Sequence, residues 1–360
     1  MRFEIDSDIR RAWTLPSEFY TESGWFELSK EKIFARSWQF AGFSPEIDNL
    51  KPVRLLPEFL DEELLLTREN DVLRCLSNVC THRGKILVEE PCRADLIRCR
   101  YHGRRFSIGG SFLSMPEFDE AEDFPSGDDD LARIEIDEMI GFLFVSLNPS
   151  APFSVFLGDA ISRLPEIKYP QMRHISSRSY EVNAHWALYC ENYLEGFHIP
   201  FVHRALNELV DYGSYSTETF RYSSLQTAFP ARTGSADSNT AGTRFEATAD
   251  STNGGASAYY LFVFPNLMFN FYPWGISVNV VKPVAPEKTV VEFLTFVSDE
   301  EKLGGGAGSD LHRVEMEDEA VVESVQRGIK SRFYSRGRYS PKSERGLHHF
   351  HRLIAEFLDS

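Results

Sequence analysis

Cys80-Thr81-His82-Arg83-Gly84 and Cys99-Arg100-Tyr101-His102-Gly103 decide how the first half of this chain is read. The pattern is C-x-H, sixteen intervening residues, then C-x-x-H. Each segment offers one thiolate and one imidazole, and each closes on a glycine that can turn the backbone tightly around a bound group. Short apolar runs surround them: Val53–Leu56, Leu64–Thr67, Val72–Leu76, Leu96–Arg100, Arg105–Ile108 and Ile140–Val145. With Gly109-Gly110 as a turn, these runs predict a small all-β domain over residues 38–150, with the four ligand-type side chains on two of its loops. Inside it, Glu117–Asp130 holds eight acidic residues, and Pro125-Ser126-Gly127 marks a loop there.

Three explanations compete for the four side chains. Coincidence is disfavoured by the glycine after each pair. A structural zinc site usually separates its ligands by two to four residues, whereas only Thr81 lies between Cys80 and His82. The third is a Rieske [2Fe–2S] centre, in which one iron takes two cysteines and the other two histidines. The segments CTHRG and CRYHG resemble the Rieske signature of ring-hydroxylating oxygenase α-subunits. One departure is Arg104, where many members of that family carry Trp; it replaces no ligand and is expected to bear on docking of the reductase or ferredoxin, or on the cluster's potential. Cys75, Cys92 and Cys190 read as plain thiols.

Outward from this domain, residues 1–37 read as a helical lead-in, with a stripe of Trp25, Phe26, Leu28, Ile33 and Phe34, that packs with the C-terminal region. Residues 151–360 hold a strand at Ile175–Asn183, a helix from Trp186 to about Phe197, a polar loop or lid at 232–257, four strand-like runs between Tyr259 and Val297, a hinge at 304–309 and a helix over 310–331. The fold class is therefore α+β. The 360 residues carry 38 Lys and Arg against 54 Asp and Glu, a formal charge of −16. Such an acidic chain is a poor partner for nucleic acid or an anionic membrane. The opening MRFEIDSDIRRAW has no apolar core of a signal peptide, no apolar run reaches membrane-spanning length, and the sparse cysteines fit a cytoplasmic protein.

A second constellation lies in Glu191-Asn192-Tyr193-Leu194-Glu195-Gly196-Phe197-His198-Ile199-Pro200-Phe201-Val202-His203. On a helix Glu195 and His198 share a face, whereas His198 and His203 diverge by about 140°. Pro200 removes a helical hydrogen bond between them and permits a break that turns both rings inward. Taken alone, such a histidine pair is more often structural. Further on, periodicity picks out Asp318 in the 310–331 helix. Val314, Val321, Val322, Val325 and Ile329 all fall within about 60° of it, while Glu317 and Glu319 point about 100° away. Glu315 is its nearest competitor. A carboxylate centred in an apolar stripe needs a partner.

The sequence E-x-x-H-x-x-x-x-H after E-N-Y-L, and E-D-x7-Q-R-G at Glu317–Gly328, again resemble the oxygenase family, over nearly the whole chain from Ile33–Phe40 onward. ENYLE is more like its choline, carnitine and glycine-betaine monooxygenase branch. The resemblance implies a Rieske domain followed by a helix-grip catalytic domain. It implies Cys80, His82, Cys99 and His102 as cluster ligands, and His198, His203 and Asp318 as ligands of a mononuclear Fe(II). It also implies Glu195 as a bridge from His198 to His102 of a neighbouring subunit, a homotrimer, dioxygen as co-substrate, and an NAD(P)H-dependent reductase or ferredoxin as partner. Hydroxylation or N-demethylation of a small organic substrate is the implied activity. Tyr193 and Phe197, with Phe264, Phe269 and Phe271 from the strand at 264–274, are expected to line the pocket. Such aromatic walls suit a quaternary ammonium group, a flat aromatic ring, or simply a core. The alternatives are an aromatic ring-hydroxylating dioxygenase and a non-catalytic Rieske electron carrier. His348, His349 and His351 read as structural, and His174 and His185 receive no role.

Overall fold

The computed structural model of the chain describes residues 3–164, 172–203, 215–229, 256–303 and 311–360. Residues 232–255 of the segment read as a lid, and the 304–309 hinge, lie outside them. The chain divides into two compact units, one made of Met1–Phe34 with Ala151–Ser360, the other of Ala35–Ser150. In the first, helix α1 (Ser17–Thr21) leads to α2 (Ser23–Ser29), which loosens into a π-helical turn at Lys30–Phe34. Phe19, Trp25, Phe26, Ile33 and Phe34 are all buried there.

The Ala35–Ser150 unit carries β1 (Gln39–Phe43), β2 (Leu50–Leu55), β3 (Glu62–Glu69), β4 (Val72–Ser77), β5 (Ile97–Arg98), β6 (Arg105–Phe106), β7 (Phe112–Ser114), β8 (Arg133–Met139) and β9 (Phe142–Ser146). Six of them form one antiparallel sheet in the order β1-β9-β8-β4-β3-β2; β5-β6-β7 form a second, small sheet. The two ligand loops follow β4 and β5. The first is pinned by Asn78, which is fully buried. Its side-chain amide donates to the Val88 carbonyl at 2.7 Å and accepts from the Val88 N–H at 3.0 Å.

The larger unit continues with α3 (Phe153–Leu157), β10 (Arg173–Val182), α4 (Trp186–Tyr193), α5 (Ile199–Val202), β11 (Ser216–Thr219), β12 (Ser223–Ala228), β13 (Ala258–Val263), β14 (Leu267–Tyr272), β15 (Gly275–Ala285), β16 (Lys288–Val297), α6 (Leu311–Ile329) and α7 (Arg345–Asp359). Its strands make a seven-stranded antiparallel sheet, β10-β16-β15-β14-β13-β12-β11. Helix α6 packs on α4, tied by Gln326 Oε1, which accepts from the His185 N–H at 2.9 Å, and by Glu323 Oε1, which accepts from the Asn183 N–H at 2.9 Å. His185, which received no role from sequence, caps α4 by accepting from the Ala187 N–H at 3.3 Å. Burial holds its imidazole down at about 3, in the neutral form that capping needs.

The expected stripe on α6 is partly corrected. Val322 and Ile329 are buried beside Glu315 and Gln326, but Val325 is 42% exposed. The buried line runs through 315, 322, 326 and 329, with the half-buried Asp318 on it, the three-and-four spacing of a face pressed on one neighbouring helix.

Asn78→Ala should strip the Val88 amide of its acceptor and leave its carbonyl unpaired, a cost of about 1–3 kcal/mol. Hydrogen exchange checks this: the Val88 amide should exchange at least about tenfold faster, and an unchanged rate would show that the pin does not hold the loop.

Candidate metal centres and active site

The two cysteine–histidine loops are built alike. The Cys80 N–H donates to the Lys85 carbonyl at 2.9 Å and the Cys99 N–H to the Arg104 carbonyl at 2.8 Å. Gly84 and Gly103 then donate back to the carbonyls of Cys80 and Cys99. Both glycines take left-handed backbone, φ +69° and +77°, which their place at the turn requires. The result brings the four side chains together in two pairs. Cys80 and Cys99 are each 2% exposed, and burial together with the adjoining Cys99 thiol pushes the Cys80 thiol up. The His82 and His102 rings meet edge-to-face at 4.8 Å. Burial, then the charges of His102, Arg83 and Arg104, hold His82 below its usual range. His102 Nδ1 is buried with no hydrogen-bond partner. Two neighbouring thiols and two neighbouring imidazoles, one with an orphaned nitrogen, fit a cluster that takes sulfur at one iron and nitrogen at the other.

The remaining cysteines are free. Cys75 and Cys190 are buried, and burial pushes Cys75 up to about 12. Cys92 is exposed, its backbone engaged in paired bonds with Leu50.

In the larger unit, α4 stops at Tyr193, earlier than the expected end near Phe197. The Glu195 carboxylate is the local cause. Its Oε2 accepts from the backbone N–H groups of Phe197 and His198, which a continuing helix would have claimed. The chain restarts at α5 with Pro200 in its first turn, so Pro200 opens a helix instead of breaking one. His198 and His203 flank that single turn, and their rings meet edge-to-face at 5.1 Å.

This break brings the expected ligands together. His198 Nε2 lies 3.5 Å, and His203 Nε2 3.0 Å, from Oδ1 of Asp318. The opposite ring nitrogens are held from behind: His198 Nδ1 donates to Glu195 at 2.7 Å and His203 Nδ1 to Glu317 at 2.8 Å. Donor atoms of His198, His203 and Asp318 fall within 4.8 Å of one another and could hold one metal ion. Two imidazoles and a carboxylate suit non-haem iron, and carboxylates behind the imidazoles fix their tautomers. Burial lowers the His203 pKa, but hydrogen bonds and charges from Asp318 and Glu317 outweigh it and leave it raised. Glu317 corrects the sequence reading. It points off the Asp318 face by backbone angle, yet its long side chain swings back to His203.

A cavity opens beside these three residues, lined also by Tyr189, Tyr193, Tyr260, Tyr272, Asn270 and Glu315. Tyr193 was expected there, and its hydroxyl donates to Asn270 Oδ1 at 2.8 Å. The expected phenylalanines are corrected. Phe269 and Phe271 are fully buried and line no part of it; their strand neighbours Asn270 and Tyr272 do. Successive residues of β14 point to opposite faces, so the pocket belongs to the alternate set. Phe264 is buried against Phe350 and Phe357 of α7, and Phe197 is 43% exposed, packed on Phe201 away from the cavity.

Glu315 was seen only as a competitor of Asp318. It is 5% exposed, with both oxygens 2.7 Å from the Tyr189 hydroxyl. Burial, opposed by that hydroxyl and reinforced by Asp318 and Glu319, pushes its carboxyl well above the usual range. Burial likewise keeps the Tyr260 phenol protonated, at about 12. No Lys or Arg lines the cavity among the described residues. The tempting C-terminal histidines lie elsewhere: His351 is fully buried, accepting from the Tyr339 hydroxyl at 2.6 Å and 3.1 Å from Glu191.

Residues 37–125 match the Rieske [2Fe-2S] domain family, and residues 170–360 the family of the ring hydroxylating alpha subunit (catalytic domain). Choline monooxygenase (chloroplastic) of Arabidopsis thaliana is 29% identical over 98% of this chain and 84% of its own length. The carnitine monooxygenase oxygenase subunit of Escherichia coli K12 is 28% identical over 96% of this chain and 94% of its own length. The quaternary ammonium Rieske monooxygenase CntA, solved with L-carnitine, superposes with a TM-score of 0.77 at 27% identity, covering 98% and 97% of the two chains. Naphthalene 1,2-dioxygenase, at 19% identity and a TM-score of 0.75 over 97% and 92% of the two chains, shares the fold. No described helix is long and apolar enough to cross a membrane. With the catalytic-domain family matching more than half of its length, the chain belongs to the ring-hydroxylating oxygenase α-subunits, oxidoreductases that join a Rieske [2Fe–2S] domain to a mononuclear iron catalytic domain.

Proposed function

We propose that this oxygenase hydroxylates a small quaternary ammonium compound, drawing electrons from NAD(P)H through a separate reductase, directly or by way of a ferredoxin. The observation that carries the reading is the convergence of His198 Nε2 and His203 Nε2 on Asp318 Oδ1 at the edge of a cavity that holds the buried Glu315. In net terms, one oxygen atom enters a substrate C–H bond and the other leaves as water, with two electrons and two protons consumed. Hydroxylation of an N-methyl carbon gives a carbinolamine that releases formaldehyde and the demethylated amine; hydroxylation of a chain carbon beside the nitrogen releases the tertiary amine and an aldehyde, and hydroxylation elsewhere gives an alcohol.

Cys80, His82, Cys99 and His102 would hold the cluster, and His198, His203 and Asp318 the mononuclear iron. When bound, the cluster supplies single electrons and the iron supplies the site of dioxygen reduction. The chain's own side chains do the rest. Glu195 and Glu317 hold the two imidazoles with Nε2 turned toward Asp318. Tyr193, Tyr260 and Tyr272 line the cavity with aromatic rings of the kind that hold a cationic headgroup, and Glu315 offers the negative charge that a cation in the cavity would keep ionised. Tyrosine, asparagine and glutamate at the wall, in place of Phe269 and Phe271, favour this substrate class over a flat hydrocarbon ring. The relatives named for choline and carnitine, and CntA solved with L-carnitine, support the same class.

Assembly belongs to the proposal as well. A quaternary ammonium Rieske monooxygenase of known structure, 25% identical with a TM-score of 0.79, is reported to give insight into inter-subunit electron transfer. By the same logic Glu195 would couple His198 to His102 of a neighbouring subunit, in a homotrimer. A cytoplasmic setting, where thiols stay reduced, suits a chain whose described cysteines form no disulfide.

Asp318→Ala should abolish mononuclear iron binding and turnover while the cluster's visible spectrum stays intact; iron retained at the wild-type level refutes the ligand set. Glu195→Gln should keep both metal contents and cut turnover by at least about tenfold, the usual cost of losing a partner behind a metal ligand. Unchanged turnover removes the bridging role. Glu315→Gln should raise KM for a trimethylammonium substrate about tenfold, equivalent to about 1.4 kcal/mol, and leave a neutral isostere unaffected. A panel of trimethylammonium compounds and simple aromatics, assayed for oxygen-dependent product with a surrogate reductase, checks the class. Turnover of the aromatics alone would overturn it.

A further inference from the structure

Arg104, at the end of the second cluster loop, is a charged side chain that none of the chemistry above uses. It is only 2% exposed, an unusual state for a guanidinium. Its head lies 4.8 Å from the ring centre of Phe112, 5.5 Å from Phe124 and 5.7 Å from Phe106. The aromatic wall continues from Phe124 to Phe118, centroids 4.8 Å apart, and Phe118 meets the His82 ring edge-on at 5.5 Å. Arg104 Nε is buried with no hydrogen-bond partner. Among the described residues its one ion pair is with Asp129, whose Oδ1 accepts from Nη2 at 2.5 Å and whose carbonyl lies 3.2 Å from the same nitrogen. That carbonyl also accepts from the Thr81 hydroxyl at 2.9 Å. Asp129 thus fastens both cluster loops, one through Thr81 and the other through Arg104.

The two charges of this pair are not equivalent. Asp129, held ionised first by the Ser126 N–H and then by Arg104, keeps 18% of its side chain open to water; Arg104 keeps 2%. Solvent screens the carboxylate better than the guanidinium, so a net positive field remains inside the loops. The charge sits beside the cluster loops themselves: the Arg104 carbonyl accepts from the Cys99 N–H at 2.8 Å, and the wall of Phe124 and Phe118 that holds the guanidinium ends on the His82 ring. One-electron reduction adds a negative charge, which a fixed buried cation favours.

We propose that Arg104 is a positioning residue whose buried charge raises the reduction potential of the cluster, with Asp129 as its counterweight. The proposal rests on the Rieske reading of residues 37–125. It gives the position that many relatives fill with Trp a distinct task here, making the cluster a better acceptor of electrons from its reductase.

The test is a redox titration of the intact, cluster-loaded chain at one slightly acidic pH, followed by electron paramagnetic resonance of the reduced cluster. Arg104→Gln should lower the reduction equilibrium about tenfold, a shift of about 59 mV to more negative potential for a one-electron couple. Arg104→Lys should restore the wild-type value, since it keeps the charge and loses only the planar fork. Asp129→Asn should shift the potential the other way, because it removes the counterweight. Equal shifts in Arg104→Gln and Arg104→Lys, or none in either, would show a purely structural role and overturn the proposal. If Arg104→Gln does not retain its cluster, Asp129→Asn decides, and an unchanged or lowered potential there overturns it. Absence of a Rieske signal in the unmutated protein would remove the proposal together with the cluster assignment beneath it.

Discussion

The larger unit is organised around one carboxylate oxygen, Asp318 Oδ1, on which two imidazole nitrogens from another part of the chain converge. Three ionisable groups at 3.0–3.5 Å are tolerable only where each is held from its far side and a cation can enter between them. Glu195 and Glu317 meet the first requirement for the two histidines. The donor set meets the second. The rest of the helical layer serves this meeting. α4 must end before Glu195, α5 must be one turn long, and α6 must cross α4 in one register, which Gln326 and Glu323 secure at the backbone of His185 and Asn183. A slip of one residue in α6 would turn Asp318 by about 100° and bring Glu317 or Glu319 in its place.

Much of this was legible in the sequence where the information is local. The cluster loops repeat a short pattern of ligand and glycine, and each closes on itself through bonds within five residues. Asp318 was legible because a carboxylate amid Val314, Val322 and Ile329 is costly unless it has a partner. What escaped is equally physical. Glu317 escaped because a helical wheel treats a side chain as a fixed direction, whereas glutamate has enough rotatable bonds to cross most of a turn. The end of α4 escaped because a side chain, Glu195, took the N–H groups of Phe197 and His198; backbone propensity does not encode that competition. The phenylalanines at 269 and 271 were assigned to the pocket because β14 is apolar on both faces. Every one of its six residues is buried, so alternation gives two sets and no sign to say which faces the cavity.

The same side-chain chemistry is put to different uses by burial. The surface carries most of the −16 charge as solvated carboxylates, many in exposed pairs such as Lys51–Glu46 that contribute little to stability. Glu195 and Glu317 are half-buried and orient imidazoles. Glu315 is buried with a single hydroxyl for company, which raises the cost of its charge until a cation enters the cavity. Asp129 is open on one side and closed on the other, and so neutralises Arg104 only in part.

Arg104 completes that logic with the opposite sign. In a chain with sixteen more acids than bases, a guanidinium walled in by three phenylalanines cannot be explained by solubility or bulk charge. Nor is packing alone a sufficient account, because an apolar side chain of similar volume would fill the same space without leaving Nε buried and unpaired. What an apolar residue cannot supply is a fixed positive charge behind the His82 wall, and a redox centre is among the few bound groups whose function depends directly on such a field.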